Sequence, residues 1–190
     1  VTTADLTKMF AGSSVVIHLA AITDAAGSFA IRDQVEMVNH HGTERVAIAC
    51  AATGAKLVYL SSTRVYGTQK EVVAEDCAAD ELKPQSPYAE AKLSGEVLLR
   101  QMARSHGLRF ISCRFGTIFG TSPGMRFHTA VNKFCWQAVM GDPISVWRTA
   151  LNQVRPYLEL GDAIDAMLHI IRTDLFDNEV YNVLTCNSSV

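Results

Sequence analysis

Apolar and polar positions alternate along the chain between helical and strand-like patterns. Residues 3 to 11 have helical composition and stop at Gly12, and the run Val15-Val16-Ile17-His18-Leu19-Ala20-Ala21 predicts a buried strand closing on small residues. From Phe29 to Ala52, Val35, Val38, Val46 and Ala49 recur at three- and four-residue spacings and predict one long helix ended by Gly54. Leu57-Val58-Tyr59-Leu60 predicts a second buried strand, which breaks into Ser61-Ser62-Thr63. The stretch between Gly67 and Gln85 is polar and acidic (Glu71, Glu75, Asp76, Asp80, Glu81), which predicts a surface loop whose acids form a solvated face. Ser86-Pro87 then supplies an N-cap followed by proline at the first helical position, so a helix runs to His106, is stopped by Gly107, and yields to a strand over Arg109 to Phe115.

Beyond that strand, Gly116, Gly120 and Gly124 stand at four-residue spacing and predict a loop, unlike the Gly-x-Gly-x-x-Gly of a dinucleotide turn. Residues 126 to 140 predict a helix ending at Gly141, then a short strand from Ile144 to Trp147, a strand from Val154 to Leu160, and a helix capped at Asp162. Helix, strand, helix, strand in repeated order argues for parallel strands with helical crossovers, the doubly wound α/β arrangement.

At 190 residues, 48% of them hydrophobic, the chain has the size of one ordinary domain and can bury a sizeable core. Its net charge is −2 with acids and bases interspersed, and the absence of a Lys/Arg cluster speaks against nucleic acid or an anionic membrane as partner. The longest apolar stretch, Ser14 to Ile22, is too short to span a bilayer and contains His18, so a cytoplasmic location is expected. Cys50, Cys77, Cys113, Cys135 and Cys186 are odd in number and lack a Cys-x-x-Cys pair, which predicts reduced, mostly packing thiols. His40 and His41 are adjacent, and neighbours on a helix face different ways, so no metal site is expected.

The candidate chemistry lies between Lys56 and Lys92. Hydroxyl residues begin at the carboxyl end of a predicted strand, where open α/β sheets hold ligands. Tyr88 and Lys92, four apart near the start of the next helix, share one face. A phenol titrates near pH 10, and a neighbouring ammonium favours its ionised form, which makes Tyr88 usable as an acid/base with Ser62 bonding the same substrate oxygen.

Chance can supply a Tyr-x-x-x-Lys spacing. Together with Ser61-Ser62-Thr63, Val65-Tyr66-Gly67 and Pro84-Gln85-Ser86-Pro87, however, this stretch closely resembles the extended short-chain dehydrogenase/reductases, the NAD-dependent epimerase/dehydratase family. The resemblance implies Ser62, Tyr88 and Lys92 as catalytic residues, with Lys92 also on the nicotinamide ribose and the oxidised nicotinamide ring further favouring the phenolate. It implies that Leu19, Ala20, Ala21 and Thr23 lie against the cofactor, while His18 itself reads as a satisfied core histidine. Asn39, with Gly42-Thr43, matches the family's Asn-x-x-Gly-Thr, where the asparagine orders the active-site strands and cofactor surroundings.

The segment from Arg114 to Gly120 resembles the family's Arg-x-x-Asn-Val-Tyr-Gly-Pro loop facing nicotinamide and sugar. Phe115, Gly116 and Ile118 then belong to the cofactor side, and Thr117, replacing the usual asparagine, to the substrate side with Ser62, Thr63 and Val146. Arg155 stands at the arginine that contacts the nucleotide diphosphate, a task its forked guanidinium suits; a surface ion pair is the alternative reading. Pro156 and Glu159 depart from the family pattern, and Arg148 stands where a glycine is common.

The resemblance extends to Tyr181-Asn182-Val183 and implies two regions: residues 1–124 as part of an NAD(P)-binding Rossmann-like domain, and residues 125–190 as a partial substrate-binding subdomain interleaved with the last sheet elements. Family members begin with a strand and a glycine-rich turn that holds the pyrophosphate, and both are expected ahead of Val1 in the parent protein. The implied cofactor is NAD, with NADP left open, and the implied partner a nucleotide-diphosphate sugar; a homodimer is expected, and no nucleic acid or membrane. Three readings follow: an epimerase passing a hydride to the cofactor and back through a transient keto-sugar, a carbonyl reductase of the same fold that does not need Arg155, and a non-catalytic Rossmann-like binding protein. Members that eliminate water carry an acid, commonly an Asp-Glu pair or a single Glu, where this chain has Thr63-Arg64, which favours the isomerase.

Overall fold

The computed structural model describes residues 1–68, 73–127, 129–146 and 148–189. Helix α1 (Thr3–Phe10) opens on a reciprocal cap in which the Asp5 N–H donates to the Thr2 hydroxyl and the Thr2 N–H to the Asp5 carboxylate. Strand β1 (Val15–His18) follows. It stops three residues short of the expected Ala21, and just beyond that point the N–H and C=O of Ile22 go to the Asn39 amide.

The single helix expected from Phe29 to Ala52 is divided. A 3-10 turn (Gly27–Phe29) leads to α2 (Arg32–Val35), a π-helical turn (Glu36–His40) and α3 (His41–Thr53), which ends at Gly54 with φ 73°. The widened turn carries Asn39 inward, and π turns of this kind occur often at functional sites.

Strand β2 (Lys56–Ser62) pairs parallel to β1, with Val15 opposite Lys56 and His18 opposite Tyr59. Helix α4 (Pro87–His106) begins as its sequence demands: the Ala89 N–H donates to the Ser86 hydroxyl at 3.2 Å, Pro87 occupies the first turn, and Gly107 closes the helix in the left-handed region. Strand β3 (Phe110–Phe115) is buried throughout.

The glycine loop expected after β3 contains a strand instead, β4 (Thr117–Phe119). Helix α5 (Ala130–Met140) starts four residues later than its composition suggests, since the Asn132 amide donates to the Arg126 carbonyl and accepts from the Gly120 N–H, holding that stretch in turns. Ile144 to Val146 form no strand, the Pro143 carbonyl accepting from the Gln137 side chain; Trp147 lies outside the described residues. Strand β5 (Arg155–Glu159) runs directly into α6 (Leu160–Thr173). The cap is Glu159 rather than Asp162: its carboxylate accepts the Gly161 N–H at 2.5 Å and the Asp162 N–H at 3.2 Å. Strands β6 (Val180–Val183) and β7 (Cys186–Ser188) complete the chain.

Two compact units result. The first holds Val1–Arg114 and Ile170–Asn182 and carries the sheet β1-β2-β3-β6. Its core packs Val46, Ala47 and Cys50 of α3 and Leu99 and Met102 of α4 against Leu57, Tyr59 and Phe110 of the strands. The second holds Phe115–His169 and Val183–Val190, with β4 parallel and β7 antiparallel to β5. Here Gly116 admits close approach, since a Cβ would stand 3.0 Å from the Pro156 carbonyl oxygen.

The packing of α4 on β2 depends on Gly95, where a Cβ would meet the Tyr59 hydroxyl at 2.3 Å and a ring carbon at 2.8 Å. Alanine is the better helix former by about 1 kcal/mol, but overpacking costs about 1–3 kcal/mol. Gly95→Ala is therefore expected to lower the urea unfolding free energy, by up to about 2 kcal/mol; stability above the parent's would show that Tyr59 gives way without cost.

Candidate active site

The first turns of α4 set Tyr88 and Lys92 on the face that meets β2. The Lys92 ammonium donates to the Leu60 carbonyl at 2.6 Å and stands 5.0 Å from the Tyr59 ring centre and 6.0 Å from that of Tyr88. Ser62 is the last residue of β2, and its hydroxyl accepts the Arg64 N–H at 3.3 Å as the chain turns into a 3-10 turn, Thr63–Tyr66. The Tyr88 N–H, one of the orphan donors of a helix start, donates to the Ser28 hydroxyl at 3.4 Å. Ser62, Tyr88 and Lys92 are all buried, with exposures of 8%, 9% and 5%.

Burial pulls the Lys92 ammonium down to about 8, and the Glu96 carboxylate opposes that pull. The ammonium therefore stays mostly charged at neutral pH. It has three N–H donors, of which the Leu60 carbonyl takes one, so it suits a ligand rich in hydroxyl oxygens.

Beyond β1 the chain carries small side chains at Ala20, Ala21 and Thr23. Leu19, Ala20 and Thr23 are exposed and Ala21 half-buried. Because β1 and β2 are parallel and His18 pairs with Tyr59, this segment leaves the sheet at the same carboxyl end as Ser62. Asn39 is buried and commits both amide groups to Ile22, accepting its N–H at 2.8 Å and donating to its C=O at 2.9 Å. Its effect on anything lying along residues 19–23 passes through the Ile22 backbone.

His18 is the satisfied core histidine that its setting suggests. Thr43 gives its proton to the Asn39 carbonyl at 2.6 Å, so its oxygen accepts from His18 Nε2 at 3.0 Å, which assigns the proton of the neutral ring to Nε2. Burial, then the Lys92 charge, pushes its pKa down to about 4.

Behind the Ser62 strand end lies a polar network that the sequence reading passed over. The Glu96 carboxylate accepts from Arg114 Nε at 3.0 Å and Nη2 at 2.7 Å, and from the Ser61 hydroxyl at 2.5 Å. Arg114 Nη1 donates to the Tyr66 hydroxyl at 2.7 Å, which donates in turn to Asn182 Oδ1 at 2.8 Å. Burial alone would lower the Arg114 pKa, but the Glu96 hydrogen bonds and charge outweigh it and hold the guanidinium charged. The signal for Glu96 was present in the chain: Tyr88, Lys92 and Glu96 recur every four residues. One acid of the preceding loop is not simply solvated either, because half-buried Glu75 accepts the Asn182 N–H at 2.7 Å, whereas Glu81 is exposed and accepts only the nearby Ala78 N–H; Glu71 lies outside the described residues.

The remaining candidates belong to the second unit. Phe115 and Gly116 are buried, Thr117 and Ile118 lie on β4, and Val146 is half-buried in irregular chain. Arg155 opens β5, exposed, with Nη2 donating to Gln153 Oε1 at 2.5 Å. All five cysteines are free, and Cys135 and Cys186 are exposed rather than packed. Among the described residues no helix is long and apolar enough to cross a membrane.

Parallel strands with helical crossovers, with Ser62 at the carboxyl end of β2 and Tyr88 and Lys92 on the helix that follows, give a Rossmann-like short-chain dehydrogenase/reductase fold. Residues 1–183 match the family model of the NAD dependent epimerase/dehydratase family, and the chain belongs to that family. It is 30% identical over 176 residues to a trifunctional UDP-glucose 4,6-dehydratase/UDP-4-keto-6-deoxy-D-glucose 3,5-epimerase/UDP-4-keto-L-rhamnose-reductase of Arabidopsis thaliana, covering 90% of this chain and 26% of that protein. It is 30% identical over 143 residues to a UDP-glucose 4-epimerase of Azospirillum brasilense, covering 65% of this chain and 40% of that one. The UDP-glucuronic acid 4-epimerase of Bacillus cereus, solved with UDP-glucuronic acid and NAD, superposes with a TM-score of 0.86 at 27% identity over 98% of this chain and 59% of that one. The chain thus spans well under two thirds of the length of these relatives.

Neutral burial of His18 has a consequence for stability. Its folded pKa, about 4, lies below the ordinary value of 6.5, so the unfolded chain takes up a proton that the folded chain refuses. The stability present above pH 6.5 is lost as pH falls toward 4, by an amount on the order of 2–3 kcal/mol. Denaturant titrations at pH 6.5, 5.5 and 4.5 are expected to show this decline, and His18→Gln to flatten it between about pH 6.5 and 5, above the usual carboxylate range. An unchanged slope in the variant would remove His18 as its source.

Proposed function

We propose that the protein of which this chain is part is an NAD-dependent nucleotide-sugar epimerase. The observation that carries the reading is the buried set of Ser62, Tyr88 and Lys92 at the carboxyl end of β2, with Thr63 and the exposed Arg64 following where water-eliminating relatives place an acid. Residues 1–124 are read as the cofactor-binding region and residues 125–190 as the substrate side.

The residues present suit NAD. Ala20, Ala21 and the exposed Thr23 after β1 offer a ledge of small side chains for a flat dinucleotide, and the spare Lys92 donors suit ribose hydroxyls. Held there, NAD would supply a reversible hydride acceptor for a sugar carbon. Tyr88 takes the proton of the sugar C4 hydroxyl as the carbon is oxidised to the ketone and gives it back as the ketone is reduced. Ser62 holds the same oxygen, and the Lys92 charge favours the tyrosinate. Net exchange of one face of C4 for the other then needs no further acid. Elimination of water would need one for the leaving hydroxyl; a threonine hydroxyl ionises too weakly and an arginine keeps its proton. Arg155, with its planar fork, is assigned to the nucleotide diphosphate.

In the full-length protein, Tyr88→Phe is expected to abolish turnover while NAD still binds, Lys92→Met to weaken both, and Ser62→Ala to cost about 10²–10⁴ in rate. Full activity in Tyr88→Phe would remove the catalytic assignment. Given a panel of nucleotide sugars, the protein is expected to form a stereoisomer of equal mass with no net NADH. A product lighter by one water, seen by mass spectrometry, would show a dehydratase.

A further inference from the structure

Two successive residues of β2 meet α4 just before the strand ends. Leu60 accepts the Lys92 ammonium through its carbonyl, Ser61 donates its hydroxyl to Glu96, and Ser62 ends the strand. Glu96 stands one helical turn beyond Lys92, buried, with one oxygen taking Ser61 and Arg114 Nε and the other taking Arg114 Nη2. The carboxylate is therefore tied to β2 and β3 at once while its own helix carries Tyr88 and Lys92.

We propose that Glu96 is a positioning residue for the Ser62, Tyr88 and Lys92 centre: its carboxylate, fixed between Ser61 and Arg114, sets the height of α4 on β2 and supplies the negative charge beneath the Lys92 ammonium. The inference rests on the reading of that centre given above. The groups facing Lys92 are Tyr88 and Glu96 from α4, Tyr59 from β2 and His18 from β1, with Arg114 reaching Glu96 from β3. His18 is neutral above about pH 4, and burial, then the Glu96 charge, keeps the Tyr59 phenol from ionising. Among the described residues Glu96 is thus the carboxylate acting on Lys92.

A positioned charge and a mere packing staple predict opposite signs. Loosened packing admits water to Lys92 and moves its titration up toward the ordinary value of about 10.4. Loss of a positioned carboxylate with the helix still seated leaves desolvation unopposed and moves it down. The test is a carbon-13 NMR titration of the lysine-labelled full-length protein, with the Lys92 signal identified by its loss in Lys92→Met. In Glu96→Gln the Lys92 midpoint is expected about half a unit or more below that of the parent; an unchanged or raised midpoint overturns the proposal. Because Glu96→Gln leaves Arg114 buried without its counter-charge, the neutral pair Glu96→Gln with Arg114→Met provides a second reading in a more readily folded background. The same downward sign is expected there, and an unchanged or raised value again overturns the proposal. Turnover retained in Tyr88→Phe would instead remove the assignment of the centre without altering this titration.

Discussion

The buried pair of Glu96 and Arg114 is the contact on which the candidate site most depends. Taking two charges out of water costs several kcal/mol per ion unless geometry and hydrogen bonding repay it. Here the guanidinium meets the carboxylate in two parallel bonds, Ser61 occupies a further carboxylate lone pair, and Tyr66 takes another guanidinium proton. Such a pair adds little net stability over a well-packed apolar one, yet removing one partner costs about 3–5 kcal/mol. Its value lies in register. A helix seated on a sheet through apolar contacts alone can slide by fractions of an ångström at little cost, whereas a bidentate pair with defined directions cannot.

Other features of the first unit serve the same end. Gly95 lets α4 approach β2 closely enough for Lys92 to reach the Leu60 carbonyl, and the Tyr59 hydroxyl donates to the Lys92 carbonyl at 3.3 Å across that approach. On the other side of the centre, the π turn places Asn39 where its amide replaces a strand partner for Ile22. Regular helix geometry is given up locally, and residues 19–23 are held open at the sheet end rather than drawn into the β1 ladder.

Departures from the family pattern concentrate in the second unit, and the structure gives one of them a physical role. Glu159 caps α6, a task in which its length matters because the side chain must fold back to the Gly161 and Asp162 N–H groups. Its backbone N–H meanwhile donates to Thr185 Oγ1 at 2.8 Å. This departure therefore has a structural role at the start of α6.

Local rules acted where the chain determines its own conformation. Ser86-Pro87 started a helix, Gly54, Gly107 and Gly141 ended helices in left-handed turns, and alternating patterns yielded a parallel sheet with the hydroxyl residues at its carboxyl end. The Tyr88-Lys92 spacing followed from helix geometry alone. Tertiary structure decided what depends on groups far apart in sequence. Asn39 broke a helix because Ile22, seventeen residues earlier, needed its amide; Thr117 to Phe119 became a strand because β5 lay alongside; Glu96 became buried because Arg114 and Ser61 converged on it. A charged residue reads by composition as solvent-facing, since burial is costly, and only the arrival of its partners from other elements removes that cost.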